Sequence, residues 1–267
     1  MSKLIMLGTG AGFNNYFYNT CFVINHNNKK NFLIDAGGGQ KIYYRLQDKN
    51  IELTEIHDIF ISHAHTDHIL GLIWLLKKMS VVFKNTPDYI VNIYGNKFVC
   101  EAIRGICKYT LPPQLFDVCE RITNYIVVEP KDKKNIIGLD VSFFDSFDKG
   151  NNLTCFETNI GGNSLVFLGD TPCNEKNYEI VKNKDYVMHE AFCLDEDANM
   201  YRPYEKHHST VKSTCESFKD FNIQNLILYH TIDQYYDNRK EKYFNEAKKN
   251  NYTGNVIVPD DLEEIII

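Results

Sequence analysis

The apolar run Ile59-Phe60-Ile61 stops abruptly at His63-Ala64-His65-Thr66-Asp67-His68, and this junction constrains the fold more than any other stretch of the chain. A short continuous apolar run, here Asp58 to Ser62, reads as a strand of the fully buried kind. A strand that stops and turns into a helix places its last side chains at one edge of a sheet, where alternate residues converge on one point. Imidazole and carboxylate suit zinc, and four such groups in one short loop can serve two metal positions: His63 with His65 on one, Asp67 with His68 on the other. The competing reading is a polar loop with chance histidines. The chain has nine histidines in 267 residues, so a cluster of three beside an Asp at a buried strand end favours metal.

One loop does not complete two sites, so distant partners are required. Asp170 in Leu168-Gly169-Asp170-Thr171 ends an apolar strand, and His230 in Ile227-Leu228-Tyr229-His230-Thr231 ends another. A carboxylate in that setting can bridge two metals and a lone His can cap the second; singly, each is equally a turn Asp or a surface His.

The remainder alternates strands with helices. Leu4 to Leu7, Thr20 to Ile24 and Asn31 to Ile34 read as strands, the last two joined by a polar turn at Asn27-Asn28-Lys29-Lys30. Gln40 to Lys49, Leu70 to Met79 and Lys97 to Tyr109 read as helices, with Tyr89 to Tyr94 a strand between the last two. Beyond Pro112-Pro113 the pattern predicts successive strands with little room for helices: Ile122 to Val128, Leu139 to Phe144, Thr154 to Thr158 and Ser164 to Leu168. Alternation resumes from Asn174, with Leu226 to Leu228 a buried strand and Asn238 to Lys249 a charged, solvent-facing helix. Two βα-rich halves around a strand-rich middle imply an α/β (α+β) chain with helices outside two packed sheets. With no linker, repeat or low-complexity tract, residues 1–267 are expected to form a single domain.

Composition sets the limits. Hydrophobic residues make up 43% of the chain, enough for a substantial core without disulfides. The formal net charge of -6 gives no global basic field, so a nucleic-acid substrate would need a local patch. The cysteines (21, 100, 107, 119, 155, 173, 193 and 215) form no C-x-x-C pair and read as reduced thiols. No stretch approaches the roughly 18 to 20 apolar residues that span a bilayer, and the start is too short an apolar run for a signal peptide, so no membrane association and a cytoplasmic address are expected.

In order and approximate spacing, Leu7-Gly8-Thr9-Gly10, Ile34-Asp35-Ala36-Gly37-Gly38, the His63 to His68 motif, Gly169-Asp170-Thr171 and His230 resemble the metallo-β-lactamase superfamily over most of the chain. The resemblance implies a four-layer αββα sandwich with metals at the sheet edges, His63, His65, Asp67, His68, Asp170 and His230 as ligands, and Asp35 as a carboxylate that orients the ligand loops. The cofactor it implies is zinc, one or two ions. His189-Glu190-Ala191-Phe192, His208-Ser209-Thr210 and Leu226 to His230 are similar to the ribonuclease Z branch, which cuts a phosphodiester to release the 3′ trailer of tRNA precursors. By that likeness His208 donates a proton to the leaving oxygen and Glu190 holds the imidazole in the right tautomer. The plainer reading of His207-His208 is a helix N-terminus capped by Ser209 or Thr210. It is preferred for His207, and His26 and His57 read as surface residues.

The pattern breaks in one place. The superfamily supplies a further His to the site begun by His63 and His65, and this chain has none between His68 and His189. The slot falls on Phe147 or Lys149, depending on the alignment. Three arrangements stay open: Asp145 or Asp148 substitutes as an oxygen ligand and favours manganese or iron; water fills the gap; or only the site of Asp67, His68, Asp170 and His230 is well occupied. The expectation is a loosely held first ion. Tight tRNA processors of the bacterial long-armed kind carry a Lys- and Gly-rich insertion before the Gly-Asp-Thr strand, where this chain has only Glu157 to Asn163.

The activity expected is phosphodiester hydrolysis of the ribonuclease Z type, with metals lowering the pKa of a water to about 7 and Asp67 orienting the resulting hydroxide. The partner is then RNA or a small phosphodiester, and the family's tRNA-cutting members usually work as homodimers. Two alternatives remain: hydrolysis of a small ester, thioester or lactam by the same metals, and a degenerate metal-binding or sensor protein. The missing His favours the sensor; retention of Asp67, Asp170, Glu190 and His208 argues against it.

Overall fold

Apolar residues alternate in direction along the strands, so each strand serves two layers at once. Leu4 and Met6 of β1 (Lys3–Gly8) point one way, Ile5 and Leu7 the other, and the two sets join different buried clusters. The computed structural model describes residues 2–27, 30–148, 150 and 152–267. The inferred turn at Asn27 to Lys30 falls partly outside them.

The chain builds its first sheet in order, with helices between the later strands. After β1 come β2 (Cys21–His26), β3 (Lys30–Ile34), α1 (Ile42–Asp48), β4 (Ile56–Phe60), α2 (Thr66–Val82), β5 (Val91–Gly95), α3 (Lys97–Thr110), α4 (Pro113–Ile122) and β6 (Thr123–Val127). The second sheet follows: β7 (Lys133–Ile136), β8 (Leu139–Asp145), β9 (Thr154–Ile160), β10 (Asn163–Phe167), α5 (Tyr178–Val181), β11 (Tyr186–Glu190), α6 (Ala198–Tyr201), α7 (Val211–Phe218), β12 (Asn225–Tyr229), α8 (Arg239–Lys249) and β13 (Asn255–Ile257). A last strand, β14 (Glu264–Ile266), returns to pair with β1. Each sheet is seven-stranded and mixed, in the orders β14-β1-β2-β3-β4-β5-β6 and β13-β12-β11-β10-β9-β8-β7. One half of each is antiparallel, and β3 to β6 and β10 to β13 are parallel.

The sheets face each other through an aromatic core. Phe60 of β4 packs against Phe143 and Phe156 of the opposite sheet at centroid distances of 5.4 and 5.5 Å, and Phe22 against Phe167 at 5.5 Å. These rings are buried, and each contributes on the order of 1.5–3 kcal/mol by leaving water. Ile59 of β4 and Ile61 just after it point outward and cluster instead with Leu72, Leu75, Leu76 and Met79 of α2. Leu226 and Leu228 of β12 do the same with Val211, Cys215 and Phe218 of α7 and with Tyr243 and Ala247 of α8. The order helix, sheet, sheet, helix is the expected αββα sandwich.

Three local readings differ from the structure. α4 occupies Pro113–Ile122, where only strands were expected; Pro113 sits in its first turn, where a missing N–H costs nothing, and Cys119 and Ile122 form its buried face. β7 escapes sequence reading because Lys133-Lys134-Asn135-Ile136 is an edge strand whose charges discourage further pairing. α8 is not wholly solvent-facing: Arg239, Tyr243 and Ala247, four residues apart, form one buried stripe. No helix among the described residues is long and apolar enough to cross a membrane, and all eight cysteines are unpaired.

Candidate metal centre

Four parallel strands deliver the site. β4 ends before His63, β10 before Asp170, β11 at Glu190 and β12 before His230, so the groups meet beyond the carboxyl ends of their strands, the edge where open α/β sheets bind ligands. α2 begins at Thr66, four residues earlier than its apolar run suggests. Asp67 and His68 therefore lie in its first turn, with His65 as the extended residue before it. Gly71 lets this helix sit tight against the Asp35 loop: its N–H donates to the Gly37 carbonyl at 2.8 Å, and an added Cβ would lie 1.8 Å from the Ala36 carbonyl oxygen.

Two triads result. Nitrogen or oxygen atoms of His63, His65 and Asp170 lie within 4.8 Å of one another, as do those of Asp67, His68 and His230. Asp170 joins them: Oδ1 is 3.5 Å from His63 Nε2, and Oδ2 is 3.4 Å from both His68 Nε2 and His230 Nε2. His230 Nε2 is also 3.4 Å from Asp67 Oδ2. These separations are long for hydrogen bonds. They match the roughly 3.4 Å between neighbouring ligands held about 2.1 Å from a tetrahedral zinc. Buried His63 Nε2, His68 Nε2 and Asp170 Oδ1 also have no hydrogen-bond partner among the described residues. Buried polar atoms left in this way call for a ligand, so the donor set fits divalent zinc.

The electrostatics agree with a cation. Burial lowers the His63 pKa to about 4, which keeps its lone pair free. Burial alone would raise the Asp170 carboxyl, but His63, His68 and His230 hold it well below the usual range. His68 is pulled the other way: burial disfavours its charge, yet Asp35, Asp67 and Asp170 together push its pKa up. A bound cation would take over that counterion role and leave the imidazole neutral.

Asp35 supports the cluster from behind. Its Oδ2 accepts from His68 Nδ1 at 2.7 Å, and its Oδ1 accepts from the Ser62 N–H at 2.8 Å. The same Ser62 Oγ lies 3.0 Å from His63 Nδ1, so one buried carboxylate orients one imidazole directly and another through a serine. Asp35 has φ 53, a left-handed conformation that Asn also tolerates. Asp35→Asn is therefore expected to keep the fold while weakening zinc affinity about 10- to 100-fold. Zinc titration against a competing chelator measures this.

His208 and Glu190, the pair expected to handle the proton, lie alongside. His208 stacks on Phe192, with centroids 4.7 Å apart and planes 1° from parallel, and its ring centroid is 5.2 Å from that of His230. Its Nδ1 is 3.8 Å from Glu190 Oε2, longer than a hydrogen bond, because the Glu190 oxygens accept from the Ser209 and Phe192 N–H groups. Burial pushes Glu190 up to about 8 and His208 down to about 4. Thr210 is the N-cap of α7 and accepts from Ser213 N–H, while His207 sits in the preceding turn with φ 60.

His189 turns inward. Its Nε2 accepts from the Cys173 N–H at 3.1 Å and its Nδ1 donates to the Glu190 carbonyl at 2.5 Å, which together use the neutral tautomer fully. Burial lowers its pKa from 6.5 to about 4. The unfolded chain then binds more protons between those values, so this stabilisation is complete above pH 6.5 and is lost as pH falls through 4. The loss amounts to about 3 kcal/mol. Denaturant midpoints from pH 7 to 4, with the His189 imidazole followed by NMR, are expected to show the decline; a ring titrating near 6.5 would contradict it.

Among the described residues, neither Asp145 nor Asp148 joins a metal-capable group. Asp145 Oδ1 accepts the Phe147 N–H, and Asp148 faces His207. Phe147 points to a different cavity, and Lys149 lies outside the described residues. His57 is exposed and His26 half-buried. Sequence reasoning missed Phe13 and Tyr201. With Asp67, Asp170, His208 and His230 they line a cavity of about 320 Å³ over the metal groups. Phe13 is fully exposed, and nothing in a single sequence distinguishes a loop aromatic that faces a site from one that does not.

Comparison with known proteins places this arrangement. Ribonuclease Z of Methanosarcina mazei is 27% identical, covering 99% of this chain and 98% of that protein. Among solved structures, the metallo-β-lactamase fold protein YhfI of Bacillus subtilis has a TM-score of 0.76 at 17% identity, covering 100% of both chains. The short form of human tRNase Z has a TM-score of 0.73 at 20% identity, covering 99% of both. The chain thus has the metallo-β-lactamase fold, with His and Asp groups placed to hold metal, and is distantly related to ribonuclease Z. The sequence model of the family described as Anti-Pycsar protein Apyc1 matches residues 2–252, and the chain belongs to that family.

Proposed function

We propose that this chain is a metal-dependent phosphodiesterase whose substrate is a cyclic nucleotide. The observation that carries the reading is the pair of triads joined by Asp170 at the floor of a cavity of about 320 Å³. That volume is at the small end of ligand pockets, suited to a mononucleotide. The family match points to the same substrate class.

His63, His65 and Asp170 would hold one ion and Asp67, His68, Asp170 and His230 the other. Metal bound there acidifies a water and offsets charge on the phosphoryl oxygens. Asp67 then orients the attacking water through its carboxylate. As the phosphorus–oxygen bond to the ribose breaks, the His208 imidazole delivers a proton to the leaving oxygen. Burial keeps this ring neutral in the free site; the negative phosphodiester raises its proton affinity, so it becomes an acid when substrate is present. Charge on the ring favours ionisation of Glu190, 3.8 Å away, and the resulting carboxylate stabilises the imidazolium as the contact tightens.

A second reading, tRNA 3′-end cleavage, is favoured by the full-length similarity to ribonuclease Z. Against it stand the net charge of -6 and the short Gly161-Gly162 turn between β9 and β10, where the long-armed enzymes carry their insertion. The purified chain with zinc or manganese should be assayed on a 3′,5′-cyclic nucleotide, bis-p-nitrophenyl phosphate and a tRNA precursor. Turnover of the first two supports the proposal, cleavage of the precursor alone supports the second reading, and turnover of none with metal bound overturns both.

A further inference from the structure

We infer that the segment from Asp145 to Asp148, which holds Phe147, one of the two positions where the superfamily resemblance places the absent metal-ligating His, binds the nucleobase of the substrate. The inference rests on the phosphodiesterase reading above. It starts from Asp148, whose side chain is only 6% exposed. Its Oδ1 lies 3.6 Å from His207 Nδ1, while its buried Oδ2 has no partner among the described residues. A buried carboxylate oxygen is an acceptor that needs a donor, and Asp148 lines a cavity of about 630 Å³ with Phe147, Thr171, Lys176 and His207.

The second observation is backbone strain. Phe147 has φ 59, a left-handed conformation that is strained for a bulky residue, and such strain concentrates at ligand clamps. It is held there on both sides: the Asp145 carboxylate accepts the Phe147 N–H at 2.8 Å, and Ser146 Oγ accepts the Asp148 N–H at 3.2 Å. The result is a ring at the cavity mouth, 37% exposed, with the Lys176 ammonium 4.5 Å from its centroid.

Third, this cavity adjoins the metal centre at two points. Asp170 and His208 line the metal cavity, and their chain neighbours Thr171 and His207 line this one. Successive Cα atoms are about 3.8 Å apart, so a nucleotide whose phosphate lies over Asp170 can extend its base past His208 toward Asp148. Because a carboxylate only accepts, Asp148 favours a base that presents an exocyclic amino group, such as adenine, over uracil, whose one N–H donor lies between two carbonyl oxygens that a carboxylate repels.

The test compares the wild type with Asp148→Asn on cyclic AMP, cyclic UMP and bis-p-nitrophenyl phosphate, with bound zinc counted in each. Asp148→Asn is expected to raise KM for cyclic AMP at least about 10-fold, the weight of a hydrogen bond to a charged group. KM for cyclic UMP, turnover of the nitrophenyl ester and zinc content should stay within about twofold. Phe147→Gly should raise the melting temperature by releasing the strain while raising KM for both nucleotides. Loss of zinc from Asp148→Asn would make it a metal ligand and overturn the inference, as would an equal KM change for both nucleotides or none. If the wild type cleaves only the nitrophenyl ester, the phosphodiesterase reading is narrowed separately. The base subsite is then read from competitive inhibition by AMP and UMP: it stands if AMP binds more tightly and Asp148→Asn removes the difference, and falls if not.

Discussion

Asp170→Asn is expected to lower turnover of bis-p-nitrophenyl phosphate by about 10³-fold or more while leaving the fold intact. The reason is its position. One oxygen faces His63 and the other faces His68 and His230, so a single carboxylate serves both triads. Asparagine keeps the size but gives up the charge and turns one oxygen into an N–H donor, which would point at a metal position or at an imidazole lone pair. Lewis-acid stabilisation is worth several kcal/mol, and each 1.36 kcal/mol is tenfold in rate, which sets the magnitude. The measurement is kcat with bound zinc counted in parallel, and both are expected to fall. A variant with wild-type turnover would remove Asp170 from the site.

His208→Ala separates proton delivery from metal chemistry. With a ribose alkoxide as leaving group, kcat is expected to fall about 10²- to 10⁴-fold, the range for loss of a general acid. A p-nitrophenolate leaving group departs without protonation, so turnover of bis-p-nitrophenyl phosphate should fall far less. His208 stacks on Phe192, so Ala leaves a gap beside that ring, and the nitrophenyl assay also controls for disturbance of the site. Equal losses on both substrates would assign the ring to metal binding, a role its closeness to Asp170 and His230 allows.

Much of the sandwich could be read from the chain because strand ends carry a physical signature. Ile59-Phe60-Ile61, Leu165 to Leu168 and Leu226 to Tyr229 are apolar runs that must be buried, and each stops at a group that burial would penalise unless it had a purpose. The His63 to His68 motif, Asp170 and His230 come together for that reason. What escaped depends on tertiary context. α4 hides behind a Pro pair that reads as a break, and β7 is charged because it is an edge. Phe13 and Tyr201 acquire meaning only when the loops fold over the metal groups. The Phe147 conformation has no sequence signal, since αL is ordinarily signalled by Gly or Asn. The segment around it therefore read only as a missing ligand, whereas it builds a second cavity beside the first.

The two triads are unequal. His68 is held directly by Asp35 and shares its surroundings with Asp67, Asp170 and His230, whereas His63 reaches Asp35 only through Ser62 and, among the described residues, His63 and His65 share a metal-capable group with Asp170 alone. The most direct test is anomalous diffraction from zinc-loaded crystals before and after dialysis. Two peaks flanking Asp170 are expected on loading, with the one beside His63 and His65 fading first. Two peaks of equal, dialysis-resistant occupancy would contradict the inequality, and no peak beside Asp170 would contradict the metal centre itself.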